Sequence, residues 1–204
     1  MDTLQNTPTL VLLDCQKIHF HEAGEHAVDH ADTVRHIERV LTTARYCDWS
    51  VVHSQLRPQP GLSPGSRSTG SIPIDGLRPR ASEAVFTRSQ LSAFSDPMFE
   101  QTLTRGNQGP VFMVGFSLAF SVLATIYEAS ARHLHLTLVE EAIGCAPLGH
   151  QSPAAVRSFL FSLINQLAGT VGWSEVQQAW VKPGSFVSTS KWGIHHEHLR
   201  QQDN

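Results

Sequence analysis

Residues Thr9–Leu13 (TLVLL) form an apolar run that stops at an acid, Asp14. A strand buried on both faces has this pattern, with a polar residue where its carboxyl end meets a crevice or solvent. Residues 27–47 carry Val34, Ile37, Val40, Leu41 and Ala44 at three- and four-residue spacing, which predicts an amphipathic helix. A second strand is expected over 49–53, so this first stretch reads as one βαβ unit.

Residues 56–82 are rich in Pro, Gly, Ser and Arg, a composition unsuited to a strand interior and expected of a long surface loop. Beyond it the pattern predicts strands over 84–87, 110–115 and 134–139. Helices are expected over 97–105, 118–132 and 153–168, the last with Ser152 as N-cap and Pro153 at its first position. A short strand over 170–172 and a helical turn or two from Ser174 complete the alternation. Such alternation defines the α/β class, with a mainly parallel sheet covered by helices on both faces. The polar stretch 182–204 reads as a tail after a domain spanning 1–181.

Composition narrows the function. A chain of 204 residues suits a single core. Its net charge of -3 offers no basic surface, so nucleic acid is not an expected partner. Three cysteines at wide, unpatterned spacing fit reduced thiols and a cytoplasmic location. With no signal-like start and no long apolar stretch, no membrane association is expected.

In an open parallel sheet, ligands bind beyond the carboxyl ends of the strands. That rule brings together Asp14, Arg88 and the segment 115–121: a carboxylate, a fixed cation and a helix start bearing hydroxyls. Each alone has an ordinary structural explanation, and their convergence at one rim carries the weight.

Three segments carry a family resemblance. Asp14-Cys15-Gln16 after an apolar strand resembles the D-x-Q opening of isochorismatase-like hydrolases. VFTRSQLSAF resembles that family's strand, basic residue and Ser-Ala-Phe, with Arg88 at the place of its lysine. GFSLAFSVLATIYEA resembles the family's G-x-x-T-x-x-C-V-x-x-T-x-x-D/E-A, with Gly115, Val122, Thr125, Glu128 and Ala129 matching. The resemblance spans roughly residues 8–180 and implies a three-layer αβα sandwich around a six-stranded sheet of Rossmann-like order 3-2-1-4-5-6. It also implies a small-molecule substrate and a homo-oligomer. The family's catalytic positions fall on Asp14, Arg88 and Ser121, and Gln16, Phe20, Phe94, Phe116 and Ser117 are expected to line the crevice as substrate-binding residues. Core packing serves Phe94 equally well. A cis peptide is implied at Phe116–Ser117, in a turn expected to donate amides to an anion.

Two of the catalytic positions depart from the pattern: Ser121 stands where the family has its nucleophilic cysteine and Arg88 where it has lysine. Leu118 replaces the threonine three residues earlier. A cysteine beside a cation and a helix start ionises readily, whereas a serine hydroxyl needs a positioned base. Arg88 cannot serve, because a guanidinium does not deprotonate in proteins. The family's amide hydrolysis is therefore not expected, whereas ether hydrolysis with Asp14 as general acid needs no thiol. For that role burial would favour the protonated carboxyl while Arg88 would favour the charged one.

Two readings follow. One is a hydrolase of altered mechanism acting on a small anionic substrate, with Arg88 free to pair with its carboxylate. The other is a silent relative that binds a small molecule or serves an assembly. A serine esterase would need a histidine beside Ser121. Metal-binding relatives carry Asp-x-His near the end of the second strand, but here His53 has no acid beside it and His195, His196 and His198 fall in the tail. No metal and no cofactor are therefore expected. Cys15 and Cys145 read as buried, inert thiols rather than displaced nucleophiles.

Overall fold

A computed structural model describes residues 7–20, 30–57, 71–105 and 109–181; the side chains of His19, Phe20, Trp180 and Val181 lie outside the described set. The elements are β1 (Thr9–Leu13), α1 (Ala31–Tyr46), β2 (Ser50–Leu56), β3 (Ala84–Arg88), α2 (Pro97–Thr104) and β4 (Val111–Gly115), then α3 (Leu123–Ala131), β5 (Leu136–Ile143), α4 (Pro153–Ile164), β6 (Gly169–Val171) and α5 (Trp173–Val181). The sheet has six strands in the order β3-β2-β1-β4-β5-β6, every pair parallel.

All five residues of β1 are buried because two cores meet across it. Val11 and Leu13 pack on one side with Phe99 and Leu103 of α2, Ile126 of α3, and Leu160 and Ile164 of α4. Leu10 and Leu12 pack on the other with Ile37, Val40 and Leu41 of α1 and Val176 of α5. The strict alternation of β1 between these cores is the period-2 geometry of a strand. Helix starts follow local chemistry: Asp96 caps α2 through Met98 N, and Ser152 caps α4 through Ala155 N with Pro153 in the first turn.

Four expectations change. The helix from Leu118 begins with a π turn, Leu118–Val122, before α3. β5 runs on to Ile143, past the two acids Glu140 and Glu141. Its register against β4 shifts, with Met113 opposite Leu138 but Gly115 opposite Ile143, and the Arg157 guanidinium donates to the carbonyls of Glu140 and Ile143 in that stretch. Within the expected surface loop, Ile74 and Leu77 are buried, because residues 71–74 lie antiparallel to 15–17 through Lys17 N to Ile72 O at 2.9 Å and Ile74 N to Cys15 O at 3.0 Å. The last helix is longer than expected, nine residues from Trp173. The tail 182–204, with His195, His196, His198 and Trp192, lies outside the described residues.

Candidate active site

β1 and β4 end side by side, Leu13 opposite Gly115. Gly115 has φ +130, and a Cβ there would sit 1.9 Å from Leu13 O, so only glycine lets the chain leave β4 this close to β1. Two residues on, Phe116–Ser117 is a cis peptide. The π turn is then tied down by Leu118 N to Gly144 O at 3.0 Å and Val122 N to Ser117 O at 3.1 Å. Phe120 N donates to Ser117 O, so several amides expected to await an anion are already engaged by the chain.

Asp14 follows β1 in a left-handed conformation, φ 50, which aspartate tolerates better than most residues. Its carboxylate meets Arg88 in a buried bidentate pair: Nη1 donates to Oδ1 at 2.6 Å and Nη2 to Oδ2 at 2.8 Å. Leu56 N, at the end of β2, donates to Oδ1 at 2.9 Å. The guanidinium is bound on its far side too, with Nε and Nη2 donating to Leu91 O at 3.2 and 3.0 Å. Its side chain is 0% exposed, and these bonds engage both forks of the group. The expected bidentate grip of Arg88 on a substrate carboxylate is thus occupied by Asp14.

Gln16, expected to touch substrate, has its amide engaged by the chain. Nε2 donates to Leu56 O at 3.1 Å and Ser71 O at 3.3 Å, while Oε1 accepts from Leu56 N at 3.0 Å. It therefore fastens β2 to the returning segment at residue 71. Phe94 is buried edge-on against Phe99 at 5.1 Å, with the Arg132 guanidinium 5.2 Å over its ring. Phe116 is buried, with the ring of His30 5.1 Å away edge-on. Ser117 is half-buried at the start of the turn. The Phe20 side chain lies outside the described residues.

Ser121 is buried in the π turn. Among the described residues no histidine or carboxylate is recorded as hydrogen-bonded to it. Nor is a displaced thiol poised to act. Burial, reinforced by the charge of Asp14, pushes the Cys15 thiol far up. Burial raises that of Cys145 against the opposing pull of Arg157. Both remain protonated at neutral pH.

Sequence reasoning missed three groups. Ser54, on β2, is fully buried and its hydroxyl has no partner. Arg157 satisfies the carbonyls of the shifted stretch of β5. His53 does not stand alone: its Nε2 lies 2.9 Å from Glu83 Oε2, and Arg45 grips the same carboxylate through Nε at 2.7 Å and Nη2 at 2.9 Å. Burial pushes the His53 pKa down beyond what Glu83 restores, so the neutral ring donates its Nε2–H. Burial opposes the Glu83 carboxylate, yet Arg45, the Arg80 amide and His53 together draw its pKa down to about 2. Nothing in the local sequence marks His53 or Arg157, because their partners come from distant segments, Glu83 for His53 and β5 for Arg157.

The fold and the rim it builds define an α/β protein with a closed acid–guanidinium pair at the carboxyl end of its central strand. The isochorismatase domain family matches residues 8–166, and the chain belongs to that family of isochorismatase-like hydrolases. Solved structures share the fold. An isochorismatase from Pseudomonas putida superposes with a TM-score of 0.72 at 20% identity, covering 85% of this chain and 93% of that one. A cysteine hydrolase from Pseudomonas syringae gives 0.73 at 16% identity, with 84% and 91% covered. An isochorismatase family protein from Desulfovibrio vulgaris gives 0.68 at 20%, with 87% and 100% covered. Comparison with curated proteins finds no match. Among the described residues no helix is long and apolar enough to cross a membrane.

Proposed function

We propose that this protein keeps the family's crevice as a small-molecule binding site without its thiol hydrolysis, Ser121 standing in place of the nucleophilic cysteine and Arg88 in place of the lysine. The observation that carries this reading is the closed Asp14–Arg88 pair. Asp14 Oδ1 already accepts two bonds, and the guanidinium opposite is held by both Asp14 and Leu91. Asp14 is therefore engaged by Arg88 and Leu56 rather than free to activate Ser121, and among the described residues no other base is recorded as bonded to the hydroxyl. The site residues of this proposal are Asp14, Arg88 and Ser121, with Phe116 and Ser117 at the wall and Gln16 and Phe94 as positioning residues. The domain is taken as 1–181, acting in the cytoplasm as a homo-oligomer, which light scattering on the purified protein tests.

A second reading is favoured by one detail: Asp14 Oδ2 accepts a single bond, leaving a lone pair for a substrate or water. A hydrolase of a small anionic ether would use this carboxyl as general acid, with Ser121 holding the water that adds. The discriminating assay sets the purified protein against isochorismate and a panel of small amides, alongside Asp14→Ala and Ser121→Ala. No turnover on any compound, together with saturable binding of one of them, is the expected result. Turnover abolished by Asp14→Ala but surviving in Ser121→Ala would instead establish the ether route.

A further inference from the structure

On the face of the sheet covered by α1 and α5, away from α2, α3 and α4, a groove of about 720 Å³ opens between the two helices. Its size falls in the range of small-molecule sites. Residue spacing explains one wall. Arg35, Arg39 and Thr42 recur four and three residues apart on the solvent side of α1, turned away from the core stripe of Ile37, Val40, Leu41 and Ala44. Trp173 and Gln177, four residues apart on α5, form the facing wall and lie on one side of that helix.

The α5 wall is fixed in place. Trp173 N donates to Glu141 Oε2 at 2.9 Å, and Gly172 N, just before it, donates to Glu175 Oε2 at 3.0 Å. Trp173 packs on the core under α1 and is half-buried, so the rest of the residue faces the groove. The charges around it are unequally engaged. Arg35 pairs with Asp32 on the same helix, and the Glu38 carboxylate lies against Gly76 in the segment before β3. Arg39 is exposed and takes part in no ion pair among the described residues. A guanidinium beside an indole recognises a carboxylate attached to a planar ring: paired hydrogen bonds serve the first and stacking serves the second. Thr42, Thr43 and Gln177 add polar groups to the same groove.

We infer that this groove is a second site, for a small aromatic carboxylate whose carboxylate meets Arg39 and whose ring lies against Trp173. With Arg35 neutralised by Asp32, one free cation faces the ligand, which suits a monoanion better than a phosphate dianion. The groove shares no residue with the crevice at the carboxyl rim. The inference therefore stands apart from the reading of the Asp14–Arg88 pair.

The test titrates phenylacetate, phenylethanol and phenyl phosphate into the full-length protein carrying isotope-labelled tryptophan, with the Trp173 indole resonance assigned by its loss in Trp173→Phe. Phenylacetate should move that resonance saturably, in the millimolar range expected of so small a ligand. Arg39→Gln, at an exposed position, should weaken binding roughly five- to tenfold, and phenylethanol should bind more weakly by a similar factor. Arg35→Gln should have the smaller effect, because Asp32 already engages that guanidinium. Binding unchanged in Arg39→Gln, or equal for the acid and the alcohol, would overturn the carboxylate class. Tighter binding of phenyl phosphate would overturn the assignment to a monoanion. A Trp173 resonance that shows no saturable shift would overturn the site itself. Should calorimetry then still detect phenylacetate binding, the ligand lies elsewhere, and the reading of the rim crevice is left intact.

Discussion

Replacing Arg88 with methionine tests the closed pair most directly. The substitution keeps much of the side-chain volume but leaves Asp14, 2% exposed, with Leu56 N as its remaining hydrogen-bond donor of those described. Removing one partner of a buried ion pair costs roughly 3–5 kcal/mol. For a domain of this size each kcal/mol moves the Tm by about 2–4 °C, so a fall of roughly 10 °C is expected. Asp14→Asn, chosen because asparagine tolerates the left-handed φ of 50, should cost a similar amount by orphaning the buried guanidinium. The double variant Asp14→Asn/Arg88→Met removes both charges and should recover at least about 2 kcal/mol relative to additivity, since apolar replacement of a buried pair is often neutral. Urea denaturation at pH 7 reads all four corners of the cycle, at low and at high salt. Buried charges are little screened, so the coupling should persist in salt. Single-variant losses below about 1 kcal/mol, the range of exposed pairs, or a coupling that vanishes in salt, would refute the reasoning.

Other expectations follow from the same geometry. Glu83 ionises near 2 in the fold against an ordinary 4.5, so its contribution is full above about pH 4.5 and is lost as pH falls toward 2. At about 1.4 kcal/mol per unit that is at most roughly 3 kcal/mol. His53, whose pKa is lowered, acts in the same direction, its contribution being lost as pH falls below 6.5, and Glu83→Gln should flatten the urea-melt stability profile between pH 5 and 3. Arg157→Ala strips the carbonyls of Glu140 and Ile143 of a charged donor and should cost about 2–3 kcal/mol by thermal or urea unfolding, whereas an unchanged Tm would show that water serves them as well. Ser121→Cys places a thiol in the turn after β4, and its labelling by iodoacetamide, located by mass spectrometry, should outpace that of Cys15 at least tenfold, because burial and the Asp14 charge hold the Cys15 thiol protonated.

The order and type of the elements, the three-layer arrangement and the identity of Asp14 and Arg88 as rim residues were legible in the sequence. An apolar run ending in an acid, a glycine after a strand and a Ser-Pro helix start are local signals, because they record how each short segment meets water or its own backbone. The continuation of β5 through two acids was not legible, since its carbonyls are satisfied by Arg157 from α4. Nor was the burial of Ile74 and Leu77, which depends on pairing with residues after β1. The chemistry of the site belongs wholly to the tertiary structure. Sequence named a carboxylate and a cation at one rim. Packing decided that the two grip each other, that Leu91 and Leu56 complete their bonds, and that the Ser54 hydroxyl is left unpartnered, because hydrogen-bond satisfaction in a buried site depends on groups brought from distant positions in the chain.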